Sequence, residues 1–251
     1  MRAIIIAAGL GSRLKPYTNN LPKVLVKIGK TNILKSQLKV FRSLNIQDIN
    51  LIVGHKKEKF KEKFKEKKIK YFFNKEYKKN NILESLFYAR SKMNKTCLIS
   101  YSDIIFKRKI VKKLLSSKSV ISILVDTDWK KNYKGRTMHP ISQAENVIFD
   151  KKRYLKKAGK YLSSKQSQGE FIGMLKINSR GCRLFKKYFN IAKFRFKNKK
   201  FYNAKSFKTA YLTDFFNFLI EHKITIKCIN IRRNWMEIDT VQDLKKAKNF
   251  F

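Results

Sequence analysis

Short apolar runs and amphipathic stretches alternate along the first half of the chain. Residues 3–7 form an unbroken apolar run that ends in Ala7-Ala8-Gly9-Leu10-Gly11-Ser12-Arg13, the pattern of a buried strand entering a glycine loop. Thr31 is placed to cap a helix whose apolar residues Ile33, Leu34, Leu38, Phe41 and Leu44 fall on one face. Residues 49–53 read as a second strand. Residues 56–68, KKEKFKEKFKEKK, read as a charged helix: Phe60 and Phe64 make a thin apolar stripe, and Glu58, Glu62 and Glu66 stand in i,i+4 rows with lysines.

The alternation continues with strands at 69–73, 96–100 and 120–125 and helices at 82–93 and 107–115. Strand and helix in turn predict an α/β fold, a mostly parallel sheet covered on both faces in a three-layer, Rossmann-like arrangement. The rhythm then breaks. Residues 126–167 are polar, irregular and rich in hairpin signals, and predict a small inserted lobe over about 126–170. A strand at 171–177, helices at 180–196 and 207–222, and strands at 224–229 and 235–238 follow. Thr240-Val241-Gln242-Asp243 reads as a capping box opening the last helix. With no linker in view, residues 1–251 are expected to be one domain.

Composition changes this picture little. At 43% hydrophobic and 13% aromatic residues over 251 positions there is ample material for a core, which excludes intrinsic disorder. The formal net charge of +43, from 60 basic against 17 acidic residues, suggests a polyanion partner. A chain rich in Lys, Asn, Ile and Phe and poor in Gly, Pro and Ala is also what A/T-rich codons encode, and the lysines are scattered rather than gathered in one patch. No specific nucleic-acid partner is therefore expected. Cys97, Cys182 and Cys228 are far apart, without CxxC spacing, and read as buried thiols in a reducing compartment. The apolar start is too short for a secretory signal, and no run reaches the length of a membrane helix. A soluble, cytoplasmic protein is expected.

The glycine loop carries the chemistry. It is not a dinucleotide fingerprint, because Arg13-Leu14 stands where a third glycine belongs. Gly29-Lys30-Thr31 is not a P-loop, because Val24 stands at its first glycine. What remains is a run of small residues that lets backbone N–H groups approach a triphosphate, with Arg13 and, after Pro22, Lys23 as fixed positive charge. Among so few acids, Asp103 follows a strand in the sheet, where ligands of open parallel sheets gather. Glu237 and Asp239 stand two apart on a strand and so share a face. Mg²⁺ takes one or two carboxylates plus phosphate oxygens, and Asp103 with Asp239 would serve it.

These motifs resemble the signature of nucleotidyltransferases with a Rossmann-like sheet, which activate sugar phosphates, phosphocholine or phosphonates with a nucleoside triphosphate. The resemblance runs from Ile4 to about Ala247. It implies that Ala7, Ala8, Gly9, Gly11 and Ser12 bind the nucleotide, that Arg13 and Lys23 are the catalytic cations, and that Asp103 and Asp239 bind Mg²⁺ with Glu237 as a helper. Asn80-Asn81-Ile82-Leu83-Glu84-Ser85-Leu86 is similar to the segment that faces the base in phosphocholine and phosphonate cytidylyltransferases, which gives Asn80, Asn81 and Ser85 either a cytosine-reading or a helix-capping role.

The order Asp126-Thr127-Asp128-Trp129, Tyr133-Lys134-Gly135-Arg136-Thr137, His139-Pro140 and Ala144-Glu145, then Gly169 to Met174 and Tyr211 to Asp214, looks like the 2-aminoethylphosphonate branch. Gln143 departs from it, where that branch has an acid. On this likeness Arg136 and Lys23 would hold a phosphonate, and Asp126, Asp128, Glu170 or Trp129 the amine. His139 reads as a loop residue rather than a substrate contact, and His55 and His222 as surface or helix-end residues.

The expected activity is Mg²⁺-dependent transfer of CMP from CTP to 2-aminoethylphosphonate or a close relative, with room for a homodimer. Phosphocholine or a sugar 1-phosphate is the alternative acceptor, although a sugar enzyme would show a longer glycine loop and a larger second lobe. The rival of another class is a basic nucleic-acid-binding protein on a degenerate transferase fold, which would tolerate loss of Asp103 and Asp239.

Overall fold

The computed structural model describes residues 1–63 and 68–250, so Phe64 and Glu66 of the expected charged helix lie outside the described residues. The first strand, β1 (Arg2–Ala7), is buried along its whole length. Its alternate residues face two different cores. Ile4 and Ile6 pack with the phenylalanine-rich layer that includes Phe185, Phe215 and Phe218, while Ala3, Ile5 and Ala7 pack with Leu34, Phe41 and Leu114 on the other face. Each such buried Ile contributes roughly 2 kcal/mol of transfer free energy, and burial on both faces is what an unbroken β-branched run requires.

Beyond the glycine loop a ribbon of β2 (Lys27–Ile28) and β3 (Thr31–Asn32) leads into α1 (Ile33–Ser43). The cap of α1 is Asn32, whose Oδ1 accepts from Lys35 N at 2.8 Å, and not Thr31, which pairs in the ribbon. Then come β4 (Asp48–Val53), α2 (Glu58–Lys63), β5 (Ile69–Phe73) and α3 (Ile82–Leu86). The helix expected over 82–93 tightens into a 3₁₀ turn from Phe87, with a non-helical Ala89. The chain continues through β6 (Cys97–Tyr101), β7 (Ile104–Phe106), α4 (Arg108–Leu115), β8 (Ile121–Asp126), β9 (Asn146–Phe149), β10 (Leu155–Gly159), β11 (Gly169–Ile177) and α5 (Ser179–Arg195). The helix expected from 207 is a short 3₁₀ turn followed by α6 (Leu212–Glu221), because Tyr211 is extended and its N–H is capped by Asp214 at 2.9 Å. Last are β12 (Lys227–Ile231), β13 (Trp235–Glu237) and α7 (Val241–Ala247).

The main sheet runs β10-β9-β11-β6-β1-β4-β5, with β8 beside β11 and β12 beside β8. Strands β6, β1, β4 and β5 form a parallel block, β12 is parallel to β8, and β11 is antiparallel to its neighbours. The expected inserted lobe is instead an extension of this sheet. Strand β11 bends at Gly173, whose φ is +78° and whose added Cβ would lie 2.4 Å from the Tyr101 ring. Its C-terminal half pairs with β6, and its N-terminal half pairs with β9 of the hairpin. The hairpin thus fills the edge that the bend opens.

One further pairing positions the site. Strand β13 lies antiparallel to β7, with Glu237 opposite Ile104, and Ile238 N donates to Asp103 O at 2.8 Å. Residues 134 positions apart are thereby brought to one point at the carboxyl end of the parallel block.

Candidate functional site

A cleft of about 450 Å³ opens above the carboxyl ends of β1 and β6. Ala7, Ala8, Gly9, Gly11 and Ser12 form one wall. Gly11 has φ +64°, and a Cβ there would approach Lys23 Cβ to 3.0 Å, so the sharp turn needs glycine on both counts. Thr18 Oγ1 ties the turn by donating to Gly11 O at 2.9 Å.

The charged floor gathers Arg13, Lys23, Asp103, Glu237 and Asp239. Lys23 Nζ lies between the two aspartates, 3.0 Å from Asp103 Oδ2 and bonded to Asp239 Oδ1. Arg13 pairs with the other oxygen of Asp239. Burial pulls the Lys23 ammonium down, but Asp103 and Asp239 outweigh it and hold it charged, above the usual lysine range. Burial pushes Asp239 up; Lys23, His139 and Arg13 outweigh it and hold Asp239 well below the usual carboxylate range. Glu237 behaves oppositely: burial and the neighbouring Asp239 and Asp103 raise its carboxyl well above normal, against the pull of Arg136. Among the described residues Asp103 Oδ1 is buried without a hydrogen-bond partner. A buried carboxylate oxygen left bare costs on the order of 1–3 kcal/mol unless something binds it.

The base-facing segment divides by side chain. Asn74 and Asn80 exchange amide hydrogen bonds at 2.9 and 3.1 Å, and Asn74 Nδ2 also donates to Ser85 Oγ at 3.1 Å. Asn81 has the capping role: its Oδ1 accepts from Ile82 N at 2.8 Å and its Nδ2 donates to Thr209 O at 3.0 Å. Asn80, Asn81 and Ser85 all line the cleft.

The residues expected to hold the acceptor are elsewhere. Asp126 is fully buried and accepts from Trp235 Nε1 at 2.7 Å, Asp128 N at 2.9 Å, Asn132 Nδ2 at 3.1 Å and Arg233 N at 3.2 Å. It is a structural hub that fixes the approach to β13. Asp128 pairs with Arg233 and Lys131 in a separate surface groove, and Trp129 is buried edge-on against Tyr133. Arg136 is no phosphonate ligand in this geometry. Its guanidinium is buried and grips Asp243 at 2.7 and 3.0 Å and Glu237 at 3.1 Å. Glu170 is buried too, accepting from Tyr133 Oη at 2.5 Å. These five calls placed charge correctly in the region but not in the cleft, because burial directs it into the protein.

His139 is likewise more than a loop residue. Its Nδ1 is 3.1 Å from Asp239 Oδ2 and its Nε2 3.4 Å from Glu237 Oε2. Sequence reasoning also missed Asn74, Tyr101, Glu145, Lys160 and Tyr211, all of which line the cleft. The position of Asn74 just after β5, at a strand end beside the glycine loop, was an available signal for one of them.

The chain matches the nucleotidyl transferase family over residues 2–251. It is 29% identical over 252 residues to a CTP:phosphoglutamine cytidylyltransferase of Campylobacter jejuni subsp. jejuni serotype O:2, covering 98% of each chain. It is 36% identical over 110 residues to a choline-phosphate cytidylyltransferase of Streptococcus pneumoniae, covering 43% of this chain and 47% of that one. The match to a 2-aminoethylphosphonate cytidylyltransferase of Lancefieldella rimae, 36% identical, spans only 58 residues, 23% of this chain and 24% of that one. The near whole-length likeness expected for that branch thus lies with the phosphoglutamine enzyme. The solved CTP:phosphocholine cytidylyltransferase from Streptococcus pneumoniae shares the fold, with a TM-score of 0.73 at 20% identity over 98% of this chain and 97% of that one.

Proposed function

The chain belongs to the nucleotidyl transferase family, and from that premise we propose that it transfers CMP from CTP to a small phosphorylated or phosphonylated amine, releasing pyrophosphate. The observation that carries this is the Lys23 ammonium joining Asp103 and Asp239 directly beneath the glycine loop, with one oxygen of Asp103 left bare. CTP as donor is supported by the likeness to cytidylyltransferases along the whole chain. An acceptor of the phosphoglutamine, phosphocholine or 2-aminoethylphosphonate kind fits a cleft of this size, and the whole-length likeness favours the first.

Mg²⁺ fits this site, because the donors facing the bare Asp103 oxygen are carboxylates, which suit a hard cation. Asp103 and Asp239 would hold it with Glu237 nearby, and when bound it would neutralise and align phosphate oxygens. His139, Glu237 and Asp239 also lie close enough to share an ion, but a nitrogen ligand suits a softer metal, and His139 is better assigned to orienting Asp239.

The chain's own residues supply the rest. Backbone N–H groups of the loop face the triphosphate. Arg13, half-exposed at the mouth, pairs with the departing pyrophosphate, and Lys23 neutralises charge building at the α-phosphate. An anionic oxygen of the acceptor attacks the α-phosphorus. The bond to the β-phosphate oxygen breaks, and its electron pair leaves with pyrophosphate, so no general base is needed. Catalysis is then mostly positioning and charge neutralisation.

The test is pyrophosphate release from each nucleoside triphosphate against a panel of phosphate esters and phosphonates, repeated with Asp103→Ala. Turnover should require CTP and fall at least about 100-fold in the variant. Near wild-type turnover at saturating Mg²⁺ and CTP refutes the assignment and leaves the nucleic-acid-binding alternative standing.

A further inference from the structure

The cleft continues past Asp103 into a second charged corner that the transfer chemistry does not use. Tyr101 lies between Asp103 and this corner, and Glu145, Lys160 and Tyr211 complete it. These residues come from four different segments, so the corner exists only in the folded chain. Glu145 is buried, and its Oε2 accepts from Thr213 Oγ1 at 2.9 Å. Lys160 lies with its Nζ 4.6 Å from the centre of the Tyr211 ring. Its hydrogen bond goes to the neutral Gln143 Oε1 at 3.5 Å, a long contact, and among the described residues it has no salt-bridge partner within 4.0 Å. The Tyr101 hydroxyl is buried, and among the described residues it has no hydrogen-bond partner.

The corner therefore offers a buried carboxylate, an ammonium without a close anion and an orphaned phenol, all within one cleft and next to the cations that handle phosphate. A buried polar atom without a partner is costly, and a ligand that completes it recovers that cost. Resting on the cytidylyl-transfer reading above, we propose that the acceptor is a phosphorylated α-amino acid: Glu145 binds its ammonium, and Lys160 with the Tyr101 hydroxyl binds its carboxylate. An acceptor that carries only a cation would meet Lys160 as a like charge and leave the phenol unpaired, so the corner selects against it as well as for the zwitterion.

Two matched pairs test this, each differing only by the carboxylate: O-phosphoserine against phosphoethanolamine, and 2-amino-4-phosphonobutyrate against 3-aminopropylphosphonate. With CTP and Mg²⁺, kcat/KM should favour the carboxylated member by about 10- to 100-fold, the worth of one or two hydrogen bonds to charged groups. In Lys160→Met the ratio should collapse to about one, chiefly through acceptor KM, with the KM for CTP unmoved. In Glu145→Gln both members of a pair should fall together, because both carry the ammonium. A ratio near one in the unaltered protein, or a ratio retained in Lys160→Met, overturns the proposal while leaving cytidylyl transfer intact. If CTP yields no pyrophosphate with any acceptor, that reading fails separately. Calorimetry of O-phosphoserine binding to the unaltered protein and to Lys160→Met then decides the corner on its own: equal affinity overturns it, and at least about tenfold weaker binding to the variant supports it.

Discussion

Replacing Arg136 with methionine separates two roles that this residue could play. If it held the acceptor's phosphoryl group, its loss would raise the acceptor KM and leave the fold untouched. The structure makes it a buried clamp instead. Its guanidinium binds Asp243 through two nitrogens and Glu237 through one, and Asp243 is fully buried. Removing one partner of a buried ion pair costs about 3–5 kcal/mol, because the remaining charge stays desolvated. Asp243 would keep its bonds from Thr240 N, Thr240 Oγ1 and Asp239 N at 2.9, 2.8 and 3.1 Å, which favours the lower end, about 3 kcal/mol. For a chain of this size that is a fall in Tm of roughly 6–12 °C. Urea unfolding followed by circular dichroism should show the midpoint falling with an unchanged slope. Turnover should fall as well, because Asp243 holds the backbone of Asp239. A variant within about 0.5 kcal/mol of wild type that changes only the acceptor KM would refute this reasoning.

Two further predictions follow from the same geometry. Lys23→Met should lower kcat by about 100-fold or more, and Lys23→Arg should not restore it, since a planar guanidinium cannot sit between Asp103 and Asp239 as a compact ammonium does; steady-state pyrophosphate release checks both. Burial pushes the Glu170 carboxyl from 4.5 up to about 8, against Tyr133 and Arg136, so the fold favours its protonated form. Its contribution to stability is intact below about pH 4.5 and is lost as pH rises towards 8. Glu170→Gln keeps an acceptor for Tyr133 without the charge, so its stability advantage over wild type should grow between pH 5 and pH 8, to at least about 1 kcal/mol in urea unfolding; an advantage independent of pH would contradict the shift.

Several features were legible in the chain because their causes are local. An unbroken Ile4-Ile5-Ile6 run can only be a strand buried on both faces. The small residues and Arg13 that follow it can only form a tight basic turn, and the Thr240–Asp243 capping box forms between residues three apart. The scarcity of acids, 17 against 60 basic residues, made Asp103, Glu237 and Asp239 stand out, and the structure gathers all three beside Lys23. The same reasoning misplaced Asp126, Arg136 and Glu170. A charged side chain in an irregular segment can face a cleft or face inward, and periodicity does not separate the two. What separates them is the partner each meets: Trp235 lies 109 positions from Asp126, and Asp243 lies 107 from Arg136. Likewise, Tyr101, Glu145, Lys160 and Tyr211 share no motif and meet only because β11 bends at Gly173 and hands its edge to the β9–β10 hairpin. The sequence by itself determined the sheet, the phosphate-facing loop and the identity of the reactive charges, since each follows from neighbours along the chain. Tertiary structure alone decided which charges reach the acceptor, because that depends on which distant side chains bury one another.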